Sequence, residues 1–359
     1  MLTLGPRMIL VVLLLLVVGG GAVRTDSAPI ESARIDTAPL EAVSQPVATR
    51  AVKGKAHCHG ISHREVRGEE PTYTRKQLAR FPNRNRLCHG IWLPSPRRYL
   101  VPQGIAITGN TAWLSGFRYR KGYGNRPCQL VRVDLTTGRR LAFRRAIYGQ
   151  VGQRPRTYCR HGGGILQRGR LLWIVEKNKL WLVNPLRPGR VLNARRVWRI
   201  KSPVRGSAVV ATPQRIGLVP FQTRGVAQIH WFTFKRLMRT GVLDLAVRRK
   251  GARQLGAVAR THIPSFVQGA TTDARGRLFL ARSTLACGEL VTPAGRRIAF
   301  VPGAEGIALH SGDRRLWAVS ESGAWPYARS RKPLTAAVSS FEWPRLRSGK
   351  HARCGFPVS

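Results

Sequence analysis

Residues 305–322, EGIALHSGDRRLWAVSES, contain the pattern that decides the fold. A Glu-Gly pair precedes a short apolar run, a polar Ser-Gly-Asp turn follows, and a second apolar run contains Trp317. Short runs of β-branched and aromatic residues bounded by Gly and Asp are typical of strands, and both turn residues tolerate the backbone conformation of a tight hairpin. The stretch therefore predicts a β-hairpin.

The same sequence pattern occurs four more times in the chain, which indicates a repeat architecture. The other copies are QGIAITGNTAWLSGF (103–117), HGGGILQRGRLLWIVEK (161–177), RGSAVVATPQRIGLVPF (205–221) and QGATTDARGRLFLARS (268–283). Successive copies begin 37 to 63 residues apart, which brackets the roughly 40 to 50 residues of a four-stranded propeller blade. We therefore predict an all-β fold, a β-propeller of five blades, or of six if residues 58–98 form another one. The alternative is a β-sandwich whose turns fall at these spacings by coincidence.

Two further segments indicate how the ring closes. AVSSFEWPRL (337–346) has the pattern of a last outer strand, and RLCHGIWLP (86–94) is an apolar run that lies outside the repeats. Because closure removes exposed sheet edges, we expect these two segments to pair in one blade. A disulfide from Cys354 to Cys58 or Cys88 would then hold the circle closed.

The N-terminus predicts export. Residues 1–22 have the pattern of a signal peptide, since Arg7 precedes an apolar run, MILVVLLLLVV (8–18), and small residues follow it. An uncleaved membrane anchor is the alternative, but the run is shorter than the roughly 20 residues of a spanning helix. We therefore expect a secreted protein, associated with the cell wall or free, that has no transmembrane span once the signal is removed.

The remaining segments follow from composition. Residues 23–56 form a spacer rich in Ala, Pro and Ser, a composition that predicts disorder. After it we expect an N-terminal extension containing Cys and His (57–98), the propeller (99–346) and a C-terminal tail (347–359).

Six cysteines follow the predicted signal peptide, and an even number in an exported chain predicts disulfides. They are Cys58, Cys88, Cys128, Cys159, Cys287 and Cys354. Six cysteines allow 15 pairings, and the sequence does not choose among them. The alternative is a metal site at HCHGISH (57–63), which no CxxC or HExxH motif supports.

Residues just before the first strand of each blade should surround one mouth of the central channel. In the five copies these residues are Gln103, His161, Arg205, Gln268 and Glu305. A few convergent polar groups in a concave site are the usual location of a bound ligand. The alternative is that these side chains only fill and hydrate the channel.

Two stretches resemble known propellers. AEGIALHSGDRRLWAV (304–319) resembles the opening blade of the gluconolactonase family, and TTDARGRLFLA (271–281) resembles the Asp-x-x-Gly-x-Leu hairpin of NHL and related secreted propellers. The first resemblance implies that Glu305 is a ligand to a divalent cation, such as calcium, in the central channel. The Asn and Asp ligands of that family have no matching segments here, and its Glu-Gly pair opens the first blade, whereas this one falls in the last.

Charge is the strongest compositional feature. The chain has 62 Lys and Arg against 16 Asp and Glu, a formal net charge of +46. Such a field attracts polyanions, and arginine binds phosphate and carboxylate groups through paired hydrogen bonds. No helix-turn-helix, RRM, KH or zinc-finger motif indicates a dedicated nucleic-acid partner. The partner we expect is an anionic cell-wall polymer or polysaccharide.

Two functions remain open at this point. The first is an exported binding protein with a polar channel pocket and an adhesive, arginine-rich surface. The second is a divalent-metal-dependent hydrolase of the lactonase or phosphoesterase kind that uses Glu305. Glu321 is a weaker candidate than Glu305 for the functional carboxylate. Its simpler role is an ion pair with an arginine. In either case we expect a monomer.

Overall fold

The computed structural model describes residues 58–73, 78–93, 100–120, 124–310, 312, 314–328 and 335–357. The predicted signal peptide (1–22) and spacer (23–56) lie outside the described residues. Among those described, no helix has the length and apolar character needed to cross a membrane.

The described chain is built almost entirely of strands. In the first half these are β1 (Leu87–Ile91), β2 (Leu100–Thr108), β3 (Thr111–Arg120), β4 (Gly124–Asp134), β5 (Arg140–Arg144), β6 (Ala146–Gly149), β7 (Thr157–Tyr158), β8 (Ile165–Arg168), β9 (Leu171–Glu176), β10 (Lys179–Val183), β11 (Val191–Asn193) and β12 (Arg196–Ile200). In the second half they are β13 (Ala208–Ala211), β14 (Arg215–Val219), β15 (Ala227–Thr233), β16 (Asp244–Ala246), β17 (Gln254–Gly256), β18 (Ala259–Ile263), β19 (Val267–Thr272), β20 (Leu278–Ser283), β21 (Gly288–Val291), β22 (Arg297–Phe300), β23 (Ala304–His310), β24 (Arg315–Ser320) and β25 (Val338–Glu342).

Helices are few and short in the described part of the chain. They are α1 (Phe234–Leu237), α2 (Trp325–Ala328) and α3 (Trp343–Arg347), with 3₁₀ turns at His63–Glu65, Arg84–Arg86 and Glu321–Gly323.

Five sheets form the blades of a β-propeller. Blade 1 has the order β2-β3-β4-β5, blade 2 begins β8-β9-β10-β12, blade 3 is β13-β14-β15-β18, blade 4 is β19-β20-β21-β22, and blade 5 is β23-β24-β25-β1. The innermost strands β2, β8, β13, β19 and β23 each contact the next, and β23 contacts β2 again. The ring therefore closes with five blades, as the repeats predict, and the described part of residues 58–98 supplies one strand of blade 5 instead of a sixth blade.

Alternation of side chains along each strand explains the packing. In β24, Leu316 points into the core between blades 4 and 5, and its neighbour Trp317 points into the core between blades 5 and 1. In β3 of blade 1, Leu114 points into the core between blades 5 and 1, and Trp113 points into the core between blades 1 and 2. Because successive side chains of a strand face opposite sides of the sheet, every blade buries both faces against its neighbours, and only the closed ring satisfies all of them.

Glycines in the repeated sequence pattern allow the inner strands to approach at the axis. A Cβ added at Gly306 would lie 2.8 Å from the Cα of Gly104 in the next blade, and one at Gly163 would lie 2.2 Å from the carbonyl oxygen of Ser207. Between blades 2 and 3, the backbone N–H of Gly164 donates to that same carbonyl at 2.7 Å. Close backbone approach thus leaves no room for a side chain at Gly163 and Gly306.

Both chain ends contribute to blade 5, which confirms the expected pairing. Strand β1 pairs antiparallel with β25, with Leu87 opposite Phe341. The disulfides differ from the expectation, because Cys354 bonds to Cys287 of blade 4, while Cys58 bonds to Cys88 and Cys128 to Cys159. Main-chain pairing therefore closes the ring, and the disulfide of Cys354 instead ties the C-terminal tail to blade 4.

A long connection in blade 3 explains the widest spacing between repeats. Between β15 and β18 the chain crosses to blade 2, where β16 pairs in parallel with β12 and β17 pairs in parallel with β16. Blade 2 becomes a six-stranded sheet in this way. A separate three-stranded sheet is formed by β6, β7 and β11.

Candidate functional site

Three of the five predicted channel residues sit in β-bulges. The pairing of each inner strand with the next strand shifts between Pro102 and Gly104, between Val267 and Gly269, and between Ala304 and Gly306. The extra residue at each shift is Gln103, Gln268 or Glu305. Because a bulge frees a residue from the ladder and re-aims its side chain, the repeated sequence pattern turns these three polar groups toward the axis.

The other two predicted residues lie in loops that precede inner strands. His161 precedes β8, and its ring stacks on Phe117 of blade 1 with the ring centroids 4.9 Å apart. Arg205 precedes β13, which pairs with β14 without a register shift. Its side chain is exposed, and no hydrogen bond between it and the other four residues occurs in the described structure.

Hydrogen bonds connect the remaining four residues into two pairs. Nε2 of His161 lies 2.8 Å from Oε1 of Gln103. On the other side, Nε2 of Gln268 donates to Oε1 of Glu305 at 2.6 Å. Gln103 and Glu305 are both buried, at 5% and 4% exposure.

Glu321 joins the two pairs. Nε2 of Gln103 donates to Oε2 of Glu321 at 3.0 Å, and Glu321 also shares hydrogen bonds with Glu305 and with Tyr327. The result is a continuous network from His161 to Gln268. An ion pair with an arginine is the simpler role that the sequence predicts for Glu321, whereas in the structure Glu321 is the centre of this network.

Hairpin register is the signal that could have found Glu321. Strands β23 and β24 pair so that Ala304 lies opposite Ser320. The next residue on each side, Glu305 and Glu321, must then lie at the same end of the hairpin. Ser320 fixes the turn that follows, because its hydroxyl accepts the backbone N–H of Ser322.

Burial and mutual repulsion control the charge of the two carboxyls. Burial, followed by the charge of Glu321 and the hydrogen bond between them, raises the pKa of Glu305 well above its usual value. Burial raises the pKa of Glu321 to about 7, although hydrogen bonds from Gln103, Glu305 and Tyr327 oppose the shift. Two adjacent carboxyls in a poorly hydrated place share a proton, since ionising both is costly.

The neighbouring groups are uncharged at neutral pH. Burial lowers the pKa of His161 to about 4. Burial and the nearby carboxylate charges raise the pKa of the Tyr327 hydroxyl. The site therefore consists of a carboxyl pair among neutral hydrogen-bonding groups, and this pair can exchange its proton for a cation or transfer it to a bound molecule.

Resemblance to known proteins is found among solved structures and is weak. No family model and no curated protein sequence matches the chain. Among solved structures, it resembles the PQQ-bound aldose sugar dehydrogenase of Streptomyces coelicolor with 14% identity and a TM-score of 0.40, covering 67% of this chain and 93% of that one. It also resembles the calcium-binding protein regucalcin of Agrobacterium tumefaciens (13%, TM-score 0.37, covering 72% and 95%) and a luciferin-regenerating enzyme (7%, TM-score 0.34, covering 67% and 91%). At such low similarity no activity carries over, and the chain is defined as a five-bladed β-propeller protein by its own sheets.

Proposed function

We propose that this protein is an exported, monomeric β-propeller that binds anionic polymers through its arginine-rich surface. The observation that carries the proposal is the distribution of charge between surface and interior. Exposed arginines occur on every blade, for example Arg140, Arg170, Arg215, Arg275 and Arg314. None of the described acidic side chains from Asp134 to Glu342 is exposed.

Most acidic residues of the blades have an internal task, so little negative charge offsets the arginines on the surface of the blades. Asp134 and Asp273 accept backbone N–H groups in hairpin turns. Glu176 is buried and accepts the backbone N–H of Arg160. The axial carboxyls bond to each other. A surface that is positive over all blades attracts a flexible polyanion from any side.

Three disulfides support an oxidising, extracellular setting for this binding. In that setting the available polyanions include phosphate-bearing wall polymers and acidic polysaccharides. The proposed partner is accordingly an anionic polymer of the cell wall.

The expected result is binding that salt abolishes. The dissociation constant for an immobilised phosphate-bearing wall polymer should rise by roughly 100-fold or more between about 0.05 and about 0.5 M salt, because each contact is screened and counterions are released. Surface plasmon resonance at several salt concentrations measures this slope. Uncharged dextran is the control and should not bind. A constant that is unaffected by salt, or equal binding to dextran, contradicts the proposal.

A second candidate function rests on the carboxyl pair. The buried carboxyl of Glu305 and the partly buried carboxyl of Glu321, flanked by the side-chain amides of Gln103 and Gln268, present oxygen ligands of the kind that calcium prefers. No group of three or more His, Cys, Asp and Glu suited to a metal occurs in the described part of the chain, so amide oxygens would have to complete the shell. A cation held by Glu305 and Glu321 would supply Lewis-acid chemistry for a lactonase-like or phosphoesterase-like hydrolase.

Calorimetric titration with calcium tests this candidate. Calcium should bind with a stoichiometry of one and more tightly at pH 8 than at pH 6, because the shared proton must leave first. Glu305→Gln should abolish the binding, and Glu69→Gln, at an exposed side chain, should leave it unchanged. If chelator and Glu305→Gln both leave binding heat and thermal stability as in the wild type, the hydrolase candidate is rejected.

A further inference from the structure

A basic groove lies between blade 3 and the connection from β15 to β18, which contributes strands β16 and β17 to blade 2. Its volume is about 600 Å³, and its walls include Gln228, Arg260 and His262 from blade 3 and Val247 and Arg248 from the crossing connection. We call it the insertion groove.

The connection that forms one wall is held firmly in place. Its side chains Phe234, Leu237, Leu245 and Leu255 are buried in the core between blades 2 and 3. Parallel pairing of β16 and β17 with the edge of blade 2 adds main-chain hydrogen bonds. A wall built this way is pre-organised, which lowers the entropic cost of ligand binding.

Charge in the insertion groove is of one sign. Arg248 and Arg260 are exposed, and no acidic residue is among those that line the groove. The opposite wall has an ordered polar pair, since Nε2 of Gln228 lies 2.8 Å from Nε2 of His262.

A second cleft provides an internal comparison. It has a volume of about 300 Å³ and is lined by three arginines, but also by Asp244. Asp244 accepts two hydrogen bonds from Arg199, at 2.8 and 2.7 Å. Arg154 and Arg253 also line this cleft, but the carboxylate of Asp244 in the same wall repels a further anion. The insertion groove has no carboxylate in its lining and is therefore the better anion site of the two.

We propose that the insertion groove is the specific binding site for phosphate groups of a polyol-phosphate chain. The guanidinium groups of Arg248 and Arg260 would bind the phosphate oxygens, and the Gln228–His262 pair would contact hydroxyls of the polyol. Small aliphatic side chains and no Phe, Tyr or Trp line the groove, which suits a flexible chain better than a stacked sugar ring. This inference rests on the proposed polyanion-binding function and assigns it a location.

Two charge-matched double variants test the proposal. Arg248→Ala with Arg260→Ala removes the two groove arginines. Lys177→Ala with Lys235→Ala removes the same amount of charge at two exposed lysines, one in blade 2 and one in helix α1, outside both clefts. The probe is a short synthetic glycerol-phosphate oligomer, titrated by calorimetry at about 0.15 M salt, where distant charges are screened.

The groove variant should bind the oligomer about tenfold more weakly, or worse, and the control variant should bind within about twofold of wild type. Equal losses in both variants would overturn the groove as a specific site while leaving diffuse polymer binding intact. An oligogalacturonate that binds as well as the phosphate oligomer, with the same loss in the groove variant, would overturn the choice of phosphate. If long polymers bind the wild type at no salt concentration, the proposed function itself fails.

Discussion

Glu289→Ala should lower the free energy of unfolding by about 3 to 5 kcal/mol, because it leaves a charged arginine buried without its partner. Glu289 is completely buried, at 0% exposure, and Arg282 is 2% exposed. Nη1 of Arg282 donates to Oε1 of Glu289 at 2.6 Å, and Nη2 of Arg297 donates to Oε2 at 2.8 Å. One carboxylate thus compensates two guanidinium groups inside blade 4.

The C-terminal tail completes the surroundings of this triad. Arg282 also donates to the carbonyl oxygens of Ser265 and Pro357, and its guanidinium lies 4.8 Å from the ring centroid of Phe356. Burial and the charge of Arg297 lower the pKa of Arg282, while Glu289 opposes that shift. Losing the carboxylate therefore weakens both blade 4 and the docking of the tail.

Chemical denaturation of the oxidised protein measures this prediction. Arg282→Met combined with Glu289→Met should be less destabilised than Glu289→Ala alone, because no unpaired charge then remains in the core. Glu70→Ala, which removes an exposed partner of His63, should cost about 1 kcal/mol or less. A loss for Glu289→Ala no larger than that of Glu70→Ala would show that the triad is not a buried charge cluster.

Local patterns predicted the blades because each blade is made of sequential hairpins. A polar residue followed by Gly marks the bulge and close approach of an inner strand, and the turn that follows sets the next strand. The ring positions Gln103, Gln268 and Glu305 follow from this rule. Arg205 departs from it because β13 has no bulge, so the residue stays in the preceding loop and faces solvent.

Features that join distant segments could not be predicted in the same way. Strands β16 and β17 have only three residues each and pair in parallel with a neighbouring blade, which leaves no alternation in the sequence to detect. The choice of Cys287 as partner of Cys354 depends on where the tail docks, and that in turn depends on Arg282 and Phe356. The tail was expected only as a segment beyond the propeller, whereas its contacts complete the core of blade 4.

The free energy of unfolding of the Glu321→Gln variant, taken relative to wild type, should increase by about 3 kcal/mol in total as the pH rises from about 4.5 to about 8. The pKa of Glu321 is about 7 in the folded protein and 4.5 for the ordinary group. Between these values the folded state keeps a proton that the unfolded state has released. Stability from the neutral carboxyl is therefore complete below about pH 4.5 and is lost as the pH rises through 7.

His161 acts in the opposite direction, so the comparison must be made between variants. Its pKa falls from 6.5 to about 4 on folding, so the unfolded state binds more protons there and stability rises between those pH values. Subtracting the wild-type curve from the Glu321→Gln curve cancels this effect, because both proteins keep His161. The part of the Glu305 pKa shift that comes from burial cancels as well, and only the part caused by Glu321 adds to the expected slope, in the same direction. Urea denaturation at half-unit pH steps measures the difference, and Glu69→Gln should follow wild type at every step. A difference that stays flat or falls with pH would mean that the two carboxyls do not share a proton at the axis.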